Sequence, residues 1–108
     1  LGTGTTAEAA ADSALETELT TELNPNSTRA TGTQTENGAK VYRSVGTNTL
    51  DSGTPAITEH GLLSSATVAA ASATNRLLDR SVFSAINLDG TAADSLETTY
   101  DLTLTSGS

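Results

Sequence analysis

Cysteine, methionine and tryptophan are absent from this 108-residue chain, phenylalanine occurs once, and aromatic residues make up 3% of the whole. Without cysteine there are no disulfide staples and no thiolate metal sites, and the sequence carries no mark of a redox compartment. Large apolar side chains are also scarce: 35% of residues are apolar, many of them alanine. A chain of this length supports one domain with one core, and here that core must be small. At roughly 25 cal/mol per Å² of buried apolar surface, it leaves a thin margin against the conformational entropy lost on folding. Oligomerisation or docking onto a larger body is therefore expected to supply part of the stability.

Positive charge is the other shortage. Five Lys and Arg stand against thirteen Asp and Glu, for a net charge of −8. Nucleic-acid affinity rests mainly on neutralising backbone phosphate, so the charge balance argues strongly against direct nucleic-acid binding. The same balance argues against an anionic membrane surface, and no apolar run approaches the length of a spanning helix. No basic segment precedes an apolar one as in a secretory leader. The chain opens at Leu1 rather than Met, from which a processed or partial product is expected. Low hydrophobicity with high charge is also the composition of disordered chains, but the strand patterns argue against disorder.

The clearest of those patterns is in the last third, where Arg76–Ile86 and Asp94–Thr105 read as two long strands. Leu96, Thr98, Tyr100, Leu102 and Leu104 share one face, and Ser95, Glu97, Thr99, Asp101 and Thr103 the other. Sustained period two marks a half-buried strand, so the leucine and tyrosine face is expected in the core. Upstream, Thr28–Glu36 is a polar, threonine-rich strand. Asn37-Gly38 is a strong hairpin signal, leading into Lys40–Leu50 with Val41 and Val45 on one face. Ser52-Gly53-Thr54-Pro55 breaks the run before a strand at Ala56–Ser64, and Asp89-Gly90 marks a further turn. Ser65–Asn75 is low in complexity and reads as a surface loop.

Two N-terminal stretches behave differently. Leu1–Ala11 is Gly, Thr and Ala without apolar period, and is expected to be a flexible or strand-like arm. Its glycines match neither GxxxxGK[ST] nor GxGxxG in a βαβ unit. Ser13 and Glu16 have the spacing of a capping box, and Ala11, Leu15, Leu19 and Leu23 recur every four residues. This predicts one short helix from Ala14 to Leu23, ended by Asn24-Pro25. The expected fold is all-β, an antiparallel β-sandwich or jelly-roll-like meander with one short N-terminal helix: an arm over 1–12 and a single domain over 13–108.

Catalytic chemistry is hard to place. His60 is the lone histidine, and its neighbour Glu59 should point to the opposite strand face, so the two cannot easily converge on one atom. Glu97 and Asp101 share a face roughly 13 Å apart at about 3.3 Å per residue, too far for a glycosidase pair; a solvated face or a cation-mediated contact remains. No GxSxG, EF-hand or cofactor motif occurs. No enzyme, cofactor or metal is expected. Arg76 and Arg80 lie on one strand face with Leu78 and Val82, where a guanidinium should need a carboxylate. Either an intersubunit or interstrand salt bridge forms there, or the arginines sit at an exposed strand end.

Six stretches taken in order resemble a known group: LGTGTTAEAA at Leu1–Ala10, STRATGTQTE at Ser27–Glu36, VYRSVGTNTLD at Val41–Asp51, AITEHGLLS at Ala56–Ser64, LLDRSVFSAINL at Leu77–Leu88, and DSLETTYDLTLTSG at Asp94–Gly107. Together they resemble small structural proteins of tailed-bacteriophage virions. The resemblance implies a β-sandwich on the virion exterior, as head decoration (cement) protein or tail-associated component, with no catalytic residues to carry over. In the group a Gly-Gly-Thr turn generally precedes LLDR, where this chain has ATVAAASATNR, and a further N-terminal segment usually precedes LGTG. The implied partner is the major capsid protein, with the chain a homotrimer or other homo-oligomer on the capsid exterior, bridging capsid subunits. Thr3, Thr5, Arg29, Thr31, Thr33, Arg76 and Arg80 are the candidate interface residues. The rival readings are a tail, collar or fibre component that binds host surface or glycan, and an enzyme acting on the host envelope.

Overall fold

The computed structural model describes residues 1–69, 72 and 75–105. The described residues are mostly β, with five strands among them: β1 Thr33–Glu36, β2 Val41–Thr49, β3 Ala56–Leu63, β4 Leu77–Asn87 and β5 Ser95–Thr103. They form two antiparallel sheets, β1-β2-β5 and β3-β4, and among the described residues no closed barrel. The β3-β4 hairpin thus falls between β2 and β5 in sequence but in a different sheet. Each strand predicted from alternation is present, though the first is shorter than Thr28–Glu36. The Asn37-Gly38 hairpin forms, with Gly38 at φ +87°, a backbone region that costs glycine little. The loop expected over Ser65–Asn75 falls partly on 70, 71, 73 and 74, outside the described residues.

The predicted helix from Ala14 to Leu23 does not form. The one helical piece among the described residues is a 3-10 turn at Gly90–Ala92, with the Asp89 side chain accepting from the Thr91 amide at its start. Residues 14–23 are irregular and extended, with Leu15, Leu19 and Leu23 all buried. Their amides bond outside the segment: the Leu19 amide donates to the Leu1 carbonyl, and those of Glu16 and Thr17 to the Glu59 carboxylate. Thr17, Thr20 and Thr21 are weak helix formers, so tertiary donors and acceptors outweigh a marginal local preference. The period-four leucines report burial, but in an extended run that pairs with the arm through a bridge between Gly2 and Glu18. Gly2 also bridges Glu59, so the arm lies strand-like between this run and β3.

Apolar packing gathers at the end of the molecule where β2 finishes and β5 starts. Leu1, Leu19, Leu23, Leu50, Ile57 and Leu88 form the core, with Val68, Phe83 and Leu96 packed on its margin. Leu50 and Ile57 are fully enclosed. The molecule is elongated, 51 × 28 × 27 Å, and its sheets run well past this core. Hence the β5 face expected to be buried is only partly so. Leu96 packs on the core, whereas Leu102 is 39% and Leu104 49% exposed. Alternation sets which side chains share a face; whether a second layer covers that face depends on how far the opposing elements reach.

Because Leu50 sits at the centre of a small core, Leu50→Ala should lower unfolding free energy by about 2–5 kcal/mol. Urea denaturation measures this directly, with Leu104→Ala as the exposed comparison that leaves the midpoint nearly unchanged.

Candidate functional site

Three features outside ordinary sheet pairing distinguish the molecule. The first is a buried ionic clasp. Glu59 on β3 has no solvent exposure, and its carboxylate is held by four donors. Oε1 accepts from the Gly4 amide at 3.1 Å and the Thr17 amide at 2.8 Å; Oε2 accepts from the Glu16 amide at 3.0 Å and Arg80 Nε at 2.7 Å. Arg80 comes from the neighbouring strand, so this is an interstrand salt bridge. Its other nitrogens reach Asp12 Oδ2 at 3.1 Å and the Thr6 carbonyl at 2.9 Å.

This clasp explains the glycines of the arm. A Cβ on Gly2 would overlap the Glu59 carboxylate and lie 2.5 Å from the Thr17 carbonyl; one on Gly4 would meet Glu16 Cβ at 2.5 Å and Glu59 Oε1 at 2.8 Å. The arm is glycine-rich so that its backbone approaches a buried carboxylate. Burial alone would raise the Glu59 pKa, but the Thr17, Glu16 and Gly4 amides and the Arg80 guanidinium outweigh it and hold the carboxyl below its ordinary value. Asp12 is also lowered, first by the Ala9 amide and then by Arg80.

A second cluster centres on Arg29, itself buried. Its guanidinium grips the Glu18 carboxylate through Nε and Nη2, the latter at 2.8 Å. Nη1 donates to the carbonyls of Ser65 and Thr67, both at 2.9 Å, and to Asn75 Oδ1 at 2.7 Å. A planar fork suits this many acceptors, and it ties the run before β1 to the segment after β3.

Between the sheets lies a polar cleft of about 230 Å³, with Gln34, Ser44, Asn48, His60 and Tyr100 among its lining. His60 faces this cleft and Glu59 faces the arm, the opposite-face placement expected of strand neighbours. Burial pushes His60 below its ordinary pKa and Tyr100 above its own. Further along, the cleft opens into an apolar groove where Leu62, Leu78, Tyr42, Tyr100 and Leu102 converge.

The candidate interface residues separate into two groups. Arg29 and Arg80 are buried and bonded within the chain. Thr5, Thr31, Thr33 and Arg76 are exposed and Thr3 is half-buried; the Arg76 amide donates to Ser64 Oγ at 2.8 Å. The structure does not bring this second group together with the apolar groove. On the exposed face of β5, Asp101 is paired with Arg43 at 2.8 and 2.9 Å. Sequence reasoning missed Glu59 as an organising group, although a lone carboxylate in AITEHGLL and an arginine in the next strand, LLDRSVF, were a usable signal.

Among the described residues no group of three or more His, Asp or Glu side chains is placed to hold a metal ion. No described helix is long and apolar enough to cross a membrane. Compared with known protein families, curated proteins and solved structures, the chain matches none.

Glu59→Gln replaces an acceptor-only group with one that presents an amide donor to four donors and leaves Arg80 without its buried partner. It should cost about 3–5 kcal/mol. The folded state holds the Glu59 proton less tightly than the unfolded chain, so its contribution is present above the carboxylate range and lost as pH falls below about 4. Denaturation at neutral and acidic pH should show this loss in the native chain and a flatter profile in the variant.

Proposed function

We propose that the chain is a structural docking module of a bacteriophage virion: a β-sandwich, open at one end, that decorates the capsid exterior and bridges capsid subunits. The observation that carries this reading is the uncovered apolar end. Tyr42, Leu78, Leu102 and Leu104 are 49%, 67%, 39% and 49% exposed, while among the described residues the main core cluster is six buried side chains, with Leu15 buried outside it. A chain with so little enclosed apolar surface gains stability when a larger body covers the rest. The ordered resemblance to virion structural proteins supplies the setting, with the major capsid protein as partner and a homotrimer about a local threefold as the arrangement. Many symmetric copies let modest contacts sum through avidity. Buried arginine clasps suit such a role, since they fix the arm without presenting a reactive group.

The polar cleft favours a second reading, a tail, collar or fibre component that binds host glycan. Tyr100 offers a ring, and Gln34, Asn48 and His60 offer hydrogen-bonding groups, in a space the size of a sugar unit. Quantitative mass spectrometry of purified virions separates the two. Decoration predicts copies on the order of hundreds per particle, as a lattice-wide avidity mechanism needs; a dozen or fewer would overturn it in favour of the tail.

A further inference from the structure

The outer edge of β5 is a strand edge with no strand paired to it among the described residues. The Leu104 amide donates to the Lys40 carbonyl and the Leu50 amide to the Asp94 carbonyl. With the unbroken register of β2 and β5, this fixes which groups face inward, because antiparallel neighbours bond through alternate residues. The N–H and C=O groups of Leu96, Thr98, Tyr100 and Leu102 point to β2. Those of Ser95, Glu97, Thr99, Asp101 and Thr103 point outward, and among the described residues nothing bonds to them. Natural edges are usually blunted by charge, proline, a bulge or shortness. Over nine residues this one has only charge, the acidic Glu97 and Asp101.

The two faces of the edge differ. Inward lies the apolar groove of Tyr42, Leu78, Tyr100 and Leu102. On the outer face stand Glu97 and Asp101, and Glu97 has no ion-pair partner among the described residues. These charges decide against a second copy of the chain. Two β5 edges paired antiparallel in full register would set Glu97 against Asp101 twice, and a two-residue shift leaves the same charges on the diagonal. Like charges so placed are destabilising, and each copy carries −8 overall.

We infer that the β5 edge takes up an extended segment of a partner protein as an added strand, with a Lys or Arg opposite Glu97 and apolar side chains on the alternate positions that enter the groove. Backbone bonds to the outward amides give affinity, and the alternating side chains give register. The inference rests on the docking-module reading and names the chemistry of the partner it docks.

The probe is a capped nine-residue peptide of alternating lysine and valine, followed by amide hydrogen exchange in the intact chain. With the peptide at ten times its Kd, exchange at Glu97, Thr99 and Asp101 should slow about tenfold. Methylating alternate peptide nitrogens, or replacing its lysines with glutamate, should remove the effect. Glu97→Lys should reverse the lysine-over-glutamate preference. Thr99→Pro deletes an outward donor without touching the β2 pairing and should abolish uptake; if it fails to fold, Glu97→Lys decides alone. Unchanged exchange at millimolar peptide, or equal protection by the methylated peptide, overturns the inference. So does slowing that grows with protein concentration in the absence of peptide, which assigns the edge to a second copy. High copy number on virions without peptide protection would keep the docking module and remove this edge from it. Protection with low copy number would do the reverse, keeping the edge and removing the capsid location.

Discussion

A single carboxylate organises the N-terminal part of this molecule. Glu59 is fully enclosed, and an isolated buried carboxylate costs several kcal/mol unless its lone pairs are met. Three backbone amides and one guanidinium meet them. Because those amides belong to Gly4, Glu16 and Thr17, satisfying the charge requires the arm and the following run to lie across β3. Arg80 then draws in Asp12 and the Thr6 carbonyl. The clasp thus substitutes for the large apolar core that the composition denies, holding about twenty N-terminal residues in place without regular secondary structure.

Sequence and structure agree where a signal is local and diverge where it depends on tertiary cover. The strand alternation of Ser95–Thr103, the Asn37-Gly38 turn and the opposite facing of Glu59 and His60 all follow from period two or from turn chemistry, and all are present. The helix from Ala14 to Leu23 is absent because its amides found better acceptors at distance; no spacing rule within the segment reports a carboxylate forty residues away. Leu102 and Leu104 alternate as core residues do, yet stay largely exposed among the described residues. Arg80's need for a carboxylate was legible from its apolar neighbours, whereas its choice of Glu59 required the β3-β4 register.

The same division separates the groups bonded inside the fold from the surface left uncovered. Charged groups that look available in the sequence, Arg29 and Arg80, are bonded inside and act on the fold. The uncovered features are plainer: an apolar groove and a straight run of backbone at β5. Neither is built from unusual side chains, so neither stands out in the sequence. An ionic clasp and a small core that leave Tyr42, Leu78, Leu102 and Leu104 uncovered make that end the softer part of the fold, since local stability follows buried contacts.

Residue-resolved hydrogen exchange across an acid titration tests the clasp most directly. If Glu59 holds the N-terminal run, the amides of Gly4, Glu16 and Thr17 lose protection together as Glu59 takes up its proton, while the inward β2-β5 amides of Leu96, Thr98 and Tyr100 remain protected at that pH. Loss of protection at those three positions one by one, or only with global unfolding, would contradict it.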